Sequence, residues 1–222
     1  EVMRSDLSGS FEGIGAVVHM NDAGQLEIVL PMEGQPADLA GIQAGDIVLD
    51  IGSNDGTLLR SYTVPRICRV GVEPATNLAQ EGEQGIERFI NEFWSYEAYQ
   101  KGLGLYEGER RAKVVTAIGM FYDMEDPNQF IADAARALED GGLFVAQLMC
   151  LKNMLDSNDV GNICHEHLEF YSLSSLEYLL NKNGFTLIDT AEVYGPRYSE
   201  EILGKALGNR RKEIVLAEQE MP

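Results

Sequence analysis

The stretch Asp46-Ile47-Val48-Leu49-Asp50-Ile51-Gly52-Ser53-Asn54-Asp55-Gly56-Thr57 constrains this chain more than any other. Ile47, Val48, Leu49 and Ile51 form a nearly continuous apolar run, the pattern of a parallel strand covered by helices on both faces. Gly52 and Gly56 then bracket a polar turn with no bulky side chain in the way, so backbone can approach a ligand closely. A helix starting near Thr57 is expected to point its free N–H groups at the same spot. Strand, turn and helix together predict a nucleotide-type cradle.

The spacing also excludes two ligand classes. A phosphate loop needs Gly-x-x-x-x-Gly-Lys-Ser/Thr and a dinucleotide fingerprint needs Gly-x-Gly-x-x-Gly, whereas Gly52 and Gly56 are spaced Gly-x-x-x-Gly. Asp50 and Asp55 would repel a pyrophosphate but suit a ligand with hydroxyls, an amine and a positive centre. The plain alternative is an ordinary strand–turn–helix corner. The motif resembles motif I of the class I S-adenosylmethionine (SAM) dependent methyltransferases. That resemblance implies SAM as cofactor, held around Asp50, Gly52, Ser53, Asn54, Asp55 and Gly56.

A chain of 222 residues with 45% hydrophobic content can bury one good core, or one core and a small appendage. A net charge of -19 argues against a nucleic-acid surface, because neutralising phosphates needs clustered Lys and Arg. Three cysteines, at 68, 150 and 164, show no Cys-x-x-Cys spacing. Reduced thiols in a cytoplasmic protein, without a zinc site, are expected. No apolar run approaches the ~18 residues of a membrane helix, and no signal peptide opens the sequence.

Residues 1–10 read as a loosely held lead-in. Strand-like residues 14–18, the turn Asn21-Asp22-Ala23-Gly24 and the alternating residues 26–30 predict a hairpin, and residues 36–42 predict a short helix between Pro36 and Gly41. With Ser8-Gly9-Ser10-Phe11-Glu12-Gly13-Ile14-Gly15 and Pro36-Ala37-Asp38-Leu39-Ala40-Gly41-Ile42-Gln43-Ala44-Gly45-Asp46, this order resembles the PDZ domain of carboxy-terminal processing serine peptidases. The resemblance covers about 45 residues and stops before the later helix and closing strand of a peptide groove. The segment is therefore expected to bind no peptide carboxylate well and to act as a cover on the next domain.

Beyond the turn, residues 58–62 predict a short helix before Pro65. Residues 67–73 predict a second strand ending in Glu73, with Pro74 next. An acid about 20 residues past the glycine turn stands where a ribose is gripped through its hydroxyls, so Glu73 is the leading single contact. Helix is expected from residue 77, an element of either kind over 86–93, and helix over 94–105. A buried strand over 113–119 places Met120-Phe121-Tyr122 at its carboxyl end, where ligands of open α/β sheets collect. Asp126-Pro127-Asn128 opens a helix that Gly141-Gly142 is expected to stop, before a strand over 143–149. The alternation predicts an α/β, Rossmann-like, doubly wound and mostly parallel sheet.

Asn162-Ile163-Cys164-His165-Glu166-His167-Leu168-Glu169-Phe170-Tyr171-Ser172 holds two of the three histidines. A metal is disfavoured because no third ligand stands at a helical spacing such as His-Glu-x-x-His. A His beside an acid can instead take a proton from an activated carbon near pH 7. The alternative is a pair of histidines fixing a loop through hydrogen bonds. Asp46 to Asp189 resembles the methyltransferases related to nucleotide-sugar C-methyltransferases. The matching words are the 48–59 stretch, Gly71-Val72-Glu73-Pro74, Val114-Val115-Thr116-Ala117, Asp126-Pro127-Asn128-Gln129-Phe130-Ile131 and the His-Glu-His segment through Leu173. The resemblance implies a general base at His167, with Glu166 and His165 beside it, and cofactor contacts extending to Glu73, Pro74 and Ala117. Cys164 stands where a tyrosine often stands in that family.

Ser172 is expected to cap a helix that Gly184 ends, and residues 185–189 a further strand. From Asp189 onward the chain resembles the second strand and helix of the aldo-keto reductases, with Asp189 and Tyr194 on two of that family's catalytic positions. Gln219 stands at its lysine position. Reductase activity is not expected from so small a part of a barrel, and the tail is read as completing the sheet edge. The three resemblances meet at Gly-Asp-Ile-Val-Leu and Gly-Phe-Thr-Leu-Ile-Asp, which implies a recombined or engineered chain of three parts, 1–45, 46–189 and 190–222. The expected function is SAM-dependent C-methylation of a small molecule, a nucleotide-linked keto sugar, without nucleic acid or membrane. A protein that holds SAM or its product without turnover, or a scaffold, is the alternative.

Overall fold

The computed structural model describes residues 16–20, 26–31, 41–62, 64–104, 110–158, 160–161 and 163–185. Strands β1 (Ala16–Met20) and β2 (Leu26–Pro31) pair antiparallel as a separate two-stranded sheet. They match the expected hairpin, with the first strand two residues later than its apolar pattern suggests. The lead-in, the 36–42 helix, the 185–189 strand and the reductase-like tail with Asp189, Tyr194 and Gln219 lie outside the described residues, apart from Gly41, Ile42 and Phe185.

The second sheet is all parallel. It contains β3 (Ile47–Ile51), β4 (Cys68–Val72), β5 (Arg88–Ile90), β6 (Ala112–Ile118) and β7 (Leu138–Gln147), in the order β5-β4-β3-β6-β7. β3 sits in the middle, hydrogen-bonded to β4 on one side and β6 on the other. The chain works outward from β3 to β5, then returns to build β6 and β7 on the other side. The order therefore reverses at β3 and β6, and ligands of open α/β sheets bind beyond the carboxyl ends of the strands at such a switch point.

Side-chain alternation explains why β3 is buried throughout. Ile47, Leu49 and Ile51 point into the larger apolar cluster, with Val70, Val115, Phe121 and Ile131. Val48 points the other way, to Leu59, Tyr62, Ile67 and Val114. A residue two places on from Val48 shares its face, so Asp50 lies on the side of Leu59 and Tyr62. The expectation of a strand covered on both faces is met.

The helices start where their caps say they should. In α1 (Thr57–Arg60) the first turn follows Gly56, whose φ is +82°. A short 3-10 turn (Thr76–Leu78) leads into α2 (Ala79–Gly82). The ambiguous 86–93 segment resolves as strand β5, and α3 (Tyr96–Gly102) is capped by Ser95, whose side chain accepts from the Ala98 N–H. Asp126 caps α4 (Pro127–Ala137) by accepting from the Gln129 N–H at 2.9 Å. After α5 (Leu151–Ser157), Ser172 opens α6 (Leu173–Lys182) with a reciprocal Ser172/Ser175 capping box.

One stop signal acts differently from expectation. Gly141-Gly142 does not end α4, because Leu138 is already extended (φ -78°, ψ 143°) and β7 begins there. The glycines form an irregularity inside the strand: the register moves from Ala112↔Leu138 to Val114↔Leu143, and Gly141 takes a φ of +76°. Extra residues on one strand of a pair are accommodated as a bulge, for which a positive-φ glycine is well suited.

Gly71 in β4 lies directly beneath the glycine turn. A Cβ there would stand 2.6 Å from Ser53 Oγ and 3.3 Å from Leu59 Cδ1. Gly71→Ala is expected to lower stability by about 1–3 kcal/mol through overpacking, read as a fall in the urea midpoint at unchanged slope.

Candidate functional site

The turn after β3 is built by backbone bonds to β4. The N–H groups of Gly52 and Ser53 both donate to Val72 O, at 2.9 and 3.2 Å. The chain then reverses through Gly52 (φ +69°), Asn54 (φ +51°) and Gly56 (φ +82°). A Cβ on Gly52 would come within 2.8 Å of Met120 Cγ, so that glycine allows the segment after β6 to lie against the turn.

Glu73, at the end of β4, closes the cradle. Its carboxylate accepts from the Asn54 N–H at 3.0 Å and the Ala75 N–H at 2.8 Å, and Asn91 Nδ2 donates to its backbone oxygen at 2.8 Å. Its side chain is buried. A carboxylate offers about four acceptor positions, so two remain for ligand hydroxyls. The following Pro74 is exposed and precedes the Ala75 donor.

The expected ring of free N–H groups is not what the turn offers. The Asp55 N–H donates to Asn54 Oδ1, that of Gly56 to Ser53 O, and that of Thr57 to Asp55 Oδ1 at 2.9 Å. Asp55 also accepts from the Thr57 hydroxyl, and these two bonds hold its carboxyl below the usual range. Aspartate two residues ahead of a helix N–H forms a local turn of this kind and thereby uses up the donors an anion would need. The cradle is closed to phosphate and edged by carboxylates, which suits a hydroxyl-bearing, positively charged ligand.

Asp50 is buried and receives the Thr116 hydroxyl at 2.5 Å. Burial pushes its pKa up to about 7, against the lowering effect of the Thr116 bond and helped by the Glu73 charge. The same burial raises the Tyr62 hydroxyl, with Asp50 adding to it. Ser53 Oγ is buried with no hydrogen-bond partner among the described residues, close to Gly71. Ala117 is fully buried between β3 and β7, so its side chain is core and only its backbone could meet a ligand.

The His-Glu-His loop is carried to the same end of the sheet. Leu168 and Glu169 both donate backbone N–H groups to Tyr122 O at 2.9 Å, which docks the loop on the turn after β6. Tyr171 fixes its far end by stacking on Phe121 at 5.1 Å, with the rings 3° from parallel, and by accepting the Leu151 N–H at 2.8 Å. The His167 ring meets the Tyr122 ring edge-on at 4.6 Å. The Tyr122 hydroxyl and Gln147 Oε1 both come within 4 Å of a Cβ built on Gly119, at the end of β6.

The side chains of the three expected catalytic residues are not gathered into one group. Glu166 lies 3.6 Å from His165 Nε2, and both side chains are largely in solvent. Cys164 Sγ also lies 4.0 Å from the Glu166 carboxylate. The half-buried His167 turns the other way. Asp123, in the turn after β6, has its carboxyl raised above the usual range by burial, with His167 lowering it and Glu166 raising it. The sequence reading passed over Asp123, although its place just after Met120-Phe121-Tyr122 was a usable signal. Among the described residues no group of three or more His, Cys, Asp or Glu is placed to hold a metal, and no helix is long and apolar enough to cross a membrane.

Comparison with known proteins agrees with this fold. The methyltransferase domain family matches residues 32–190 and so begins inside the segment that the sequence analysis set apart as PDZ-like, a resemblance the comparisons do not support. C-methyltransferase NovU of Streptomyces niveus is 32% identical over 164 residues, covering 70% of this chain and 37% of that protein. The chain thus spans well under half of that relative. The cyclopropane synthase MmaA2 of Mycobacterium tuberculosis shares the fold, with a TM-score of 0.51 at 20% identity over 79% of this chain and 69% of that one. The aldo/keto reductase family matches residues 162–219, and an uncharacterized oxidoreductase of Mycobacterium tuberculosis is 56% identical over 39 residues, 18% of this chain and 12% of that protein. These matches carry the reductase-like part of the sequence reading only.

Asp50 gives the site a pH signature. Its folded pKa lies above the ordinary carboxylate value, so the fold binds a proton there between about pH 4 and 7, and its contribution to stability declines as pH rises through that window. Asp50→Asn is expected to remove that decline. Its stability relative to the parent should therefore grow from pH 5 to pH 8, by at most about 4 kcal/mol, as read in paired urea titrations.

Proposed function

Since the chain belongs to the methyltransferase domain family, we propose that it binds S-adenosylmethionine over the turn between β3 and α1 and methylates a carbon next to a carbonyl in a small acceptor. The acceptor class favoured by the sequence is a nucleotide-linked keto sugar, and the printed activity of the C-methyltransferase relative supports methylation at carbon. The single observation that carries this reading is the docking of the His167 loop on the Tyr122 backbone, beside the segment whose Met120 covers Gly52.

The residues present fit the cofactor. Glu73 has acceptor capacity left for the two ribose hydroxyls, and the carboxylates of Asp55 and Glu73 favour a cation over a phosphate. When bound, the cofactor supplies an electrophilic methyl group on a sulfonium.

The chain's own part is to make and aim a carbon nucleophile. His167, half-buried at the mouth of the site, removes the proton from the carbon next to the carbonyl and keeps it on the imidazole. The Tyr122 hydroxyl, on the ring against which His167 packs, is the donor available to the carbonyl oxygen, where the negative charge of the enolate gathers. Alignment of carbon, methyl and sulfur then accounts for much of the rate. His165 and Glu166, paired with each other in solvent, hold the outer side of the loop.

Removal of the base separates transfer from cofactor binding. His167→Ala is expected to lower methyl transfer by at least ~10²-fold, followed by mass spectrometry of the product, and to leave SAM affinity by calorimetry unchanged. Equal loss of both would mean that His167 holds the fold or the cofactor. Tight SAM binding by the parent protein with no transfer to any keto sugar would favour the non-catalytic alternative.

A further inference from the structure

The walls of the cradle are tied together by two side chains. Glu73 joins the end of β4 to the turn through the Asn54 N–H. The second tie is Arg60, the last residue of α1, whose guanidinium reaches back to the turn and across to the end of α2. Toward the turn, Nη1 donates to Asp55 O at 2.8 Å and Nη2 to Thr57 Oγ1 at 3.1 Å, while Nη2 stands 3.8 Å from the Asp55 carboxylate. Toward α2, Nη1 also donates to Glu81 O and Gln84 O, at 3.4 and 3.3 Å. Carbonyls at a helix end lack the usual helical partner, and a planar fork of five N–H donors can meet several acceptors at once where an ammonium cannot. Gly56 leaves room for the guanidinium, since a Cβ there would come 3.1 Å from Nη1, and the stem of Arg60 runs past Gly85, with Cδ 3.5 Å from where a Cβ would stand.

We propose that Arg60 is a positioning residue of the cofactor site: without touching the ligand, it locks the glycine turn to the segment between β4 and β5 and so fixes the spacing at which the turn and the Glu73 carboxylate receive the ribose. This rests on the reading of the cradle as the S-adenosylmethionine site. The segment leaves β4 at Glu73, which is bonded to Asn54 and Ala75, and its far end at Gln84 is bonded to Arg60. Held at both ends, it cannot swing away from the turn; held at Glu73 alone, it could pivot. A frame already at the spacing of the bound state needs less ordering when the ligand arrives, so loss of one tie is read as lost affinity. Charge alone gives a contrasting expectation. Arg60 also offsets the negative charge of Asp55, so a purely electrostatic role would make its removal favour SAM, with its positive sulfonium, over S-adenosylhomocysteine, whose sulfur is neutral.

Calorimetry with SAM and S-adenosylhomocysteine on the parent protein, Arg60→Gln and Arg60→Lys separates these roles without any acceptor. Arg60→Gln is expected to raise both dissociation constants by the same factor, about tenfold, the worth of one charge-assisted hydrogen bond. Arg60→Lys should fall between it and the parent, because the ammonium keeps the charge and loses the fork. Hydrogen exchange adds a reading that a general loss of stability would not give. The Asn54 and Ala75 amides, which donate to Glu73, should speed up in Arg60→Gln by a larger factor than those of Val48 and Leu49 in the middle of β3. Parent affinities together with parent exchange at Asn54 and Ala75 would overturn the proposal, and so would a loss confined to S-adenosylhomocysteine. Should Arg60→Gln not fold, Arg60→Lys decides by the same comparison, with parent values counting against the tie. The cofactor reading fails separately: a parent protein that binds neither ligand refutes it, and the amide exchange then judges the Arg60 tie by itself.

Discussion

The site depends on the Glu73 carboxylate reaching across from the end of β4 to the Asn54 N–H of the glycine turn. That bond joins two neighbouring strands at the point where both stop, and Ala75 and Asn91 hold the same residue from behind. It reinforces the bonds from the Gly52 and Ser53 N–H groups to Val72 O, which tie the same two strand ends together. With the bond in place, Gly52 and Gly56 can take their left-handed conformations without leaving the turn loose. The neighbouring Gly71 gives Ser53 and Leu59 the room to pack beneath it.

The same geometry decides what kind of ligand the cradle admits. A turn that offers its N–H groups outward invites phosphate, but here Asn54, Asp55 and Glu73 take those donors for themselves. What faces outward is acceptor capacity and negative charge, with Asp50 held partly protonated behind it by burial. Hydroxyls and a cationic centre are the chemical complement of such a surface. The acceptor side is assembled from different elements: the turn after β6, the end of β7 and the loop before α6. Phe121 and Tyr171 stack at its base and keep that loop in register with the sheet.

The fold was largely legible because β3 announces itself. Its nearly continuous apolar run, stopped by a glycine turn, has the pattern of a doubly covered strand, and the capping residues Asp126 and Ser172 mark helix starts that the structure reproduces. Gly141-Gly142 misled because a glycine pair serves a helix stop and a strand bulge equally well, and the choice is made by pairing with Ala112 and Val114. In the site, Glu73 could be found by its spacing from the glycine turn. The grouping of His165, Glu166 and His167 could not be resolved, since adjacency in sequence says nothing of which way each side chain turns in a loop. The docking of the loop on Tyr122 stayed hidden for the same reason: it spans more than forty residues and exists only once the sheet has formed.

The measurement that tests this account most directly is a crystal structure of the protein with S-adenosylhomocysteine. The account predicts both ribose hydroxyls within hydrogen-bond distance of the Glu73 carboxylate and the sulfur facing the side of the site that carries His167. A ribose bound away from Glu73, or a ligand lodged elsewhere on the sheet, would contradict it.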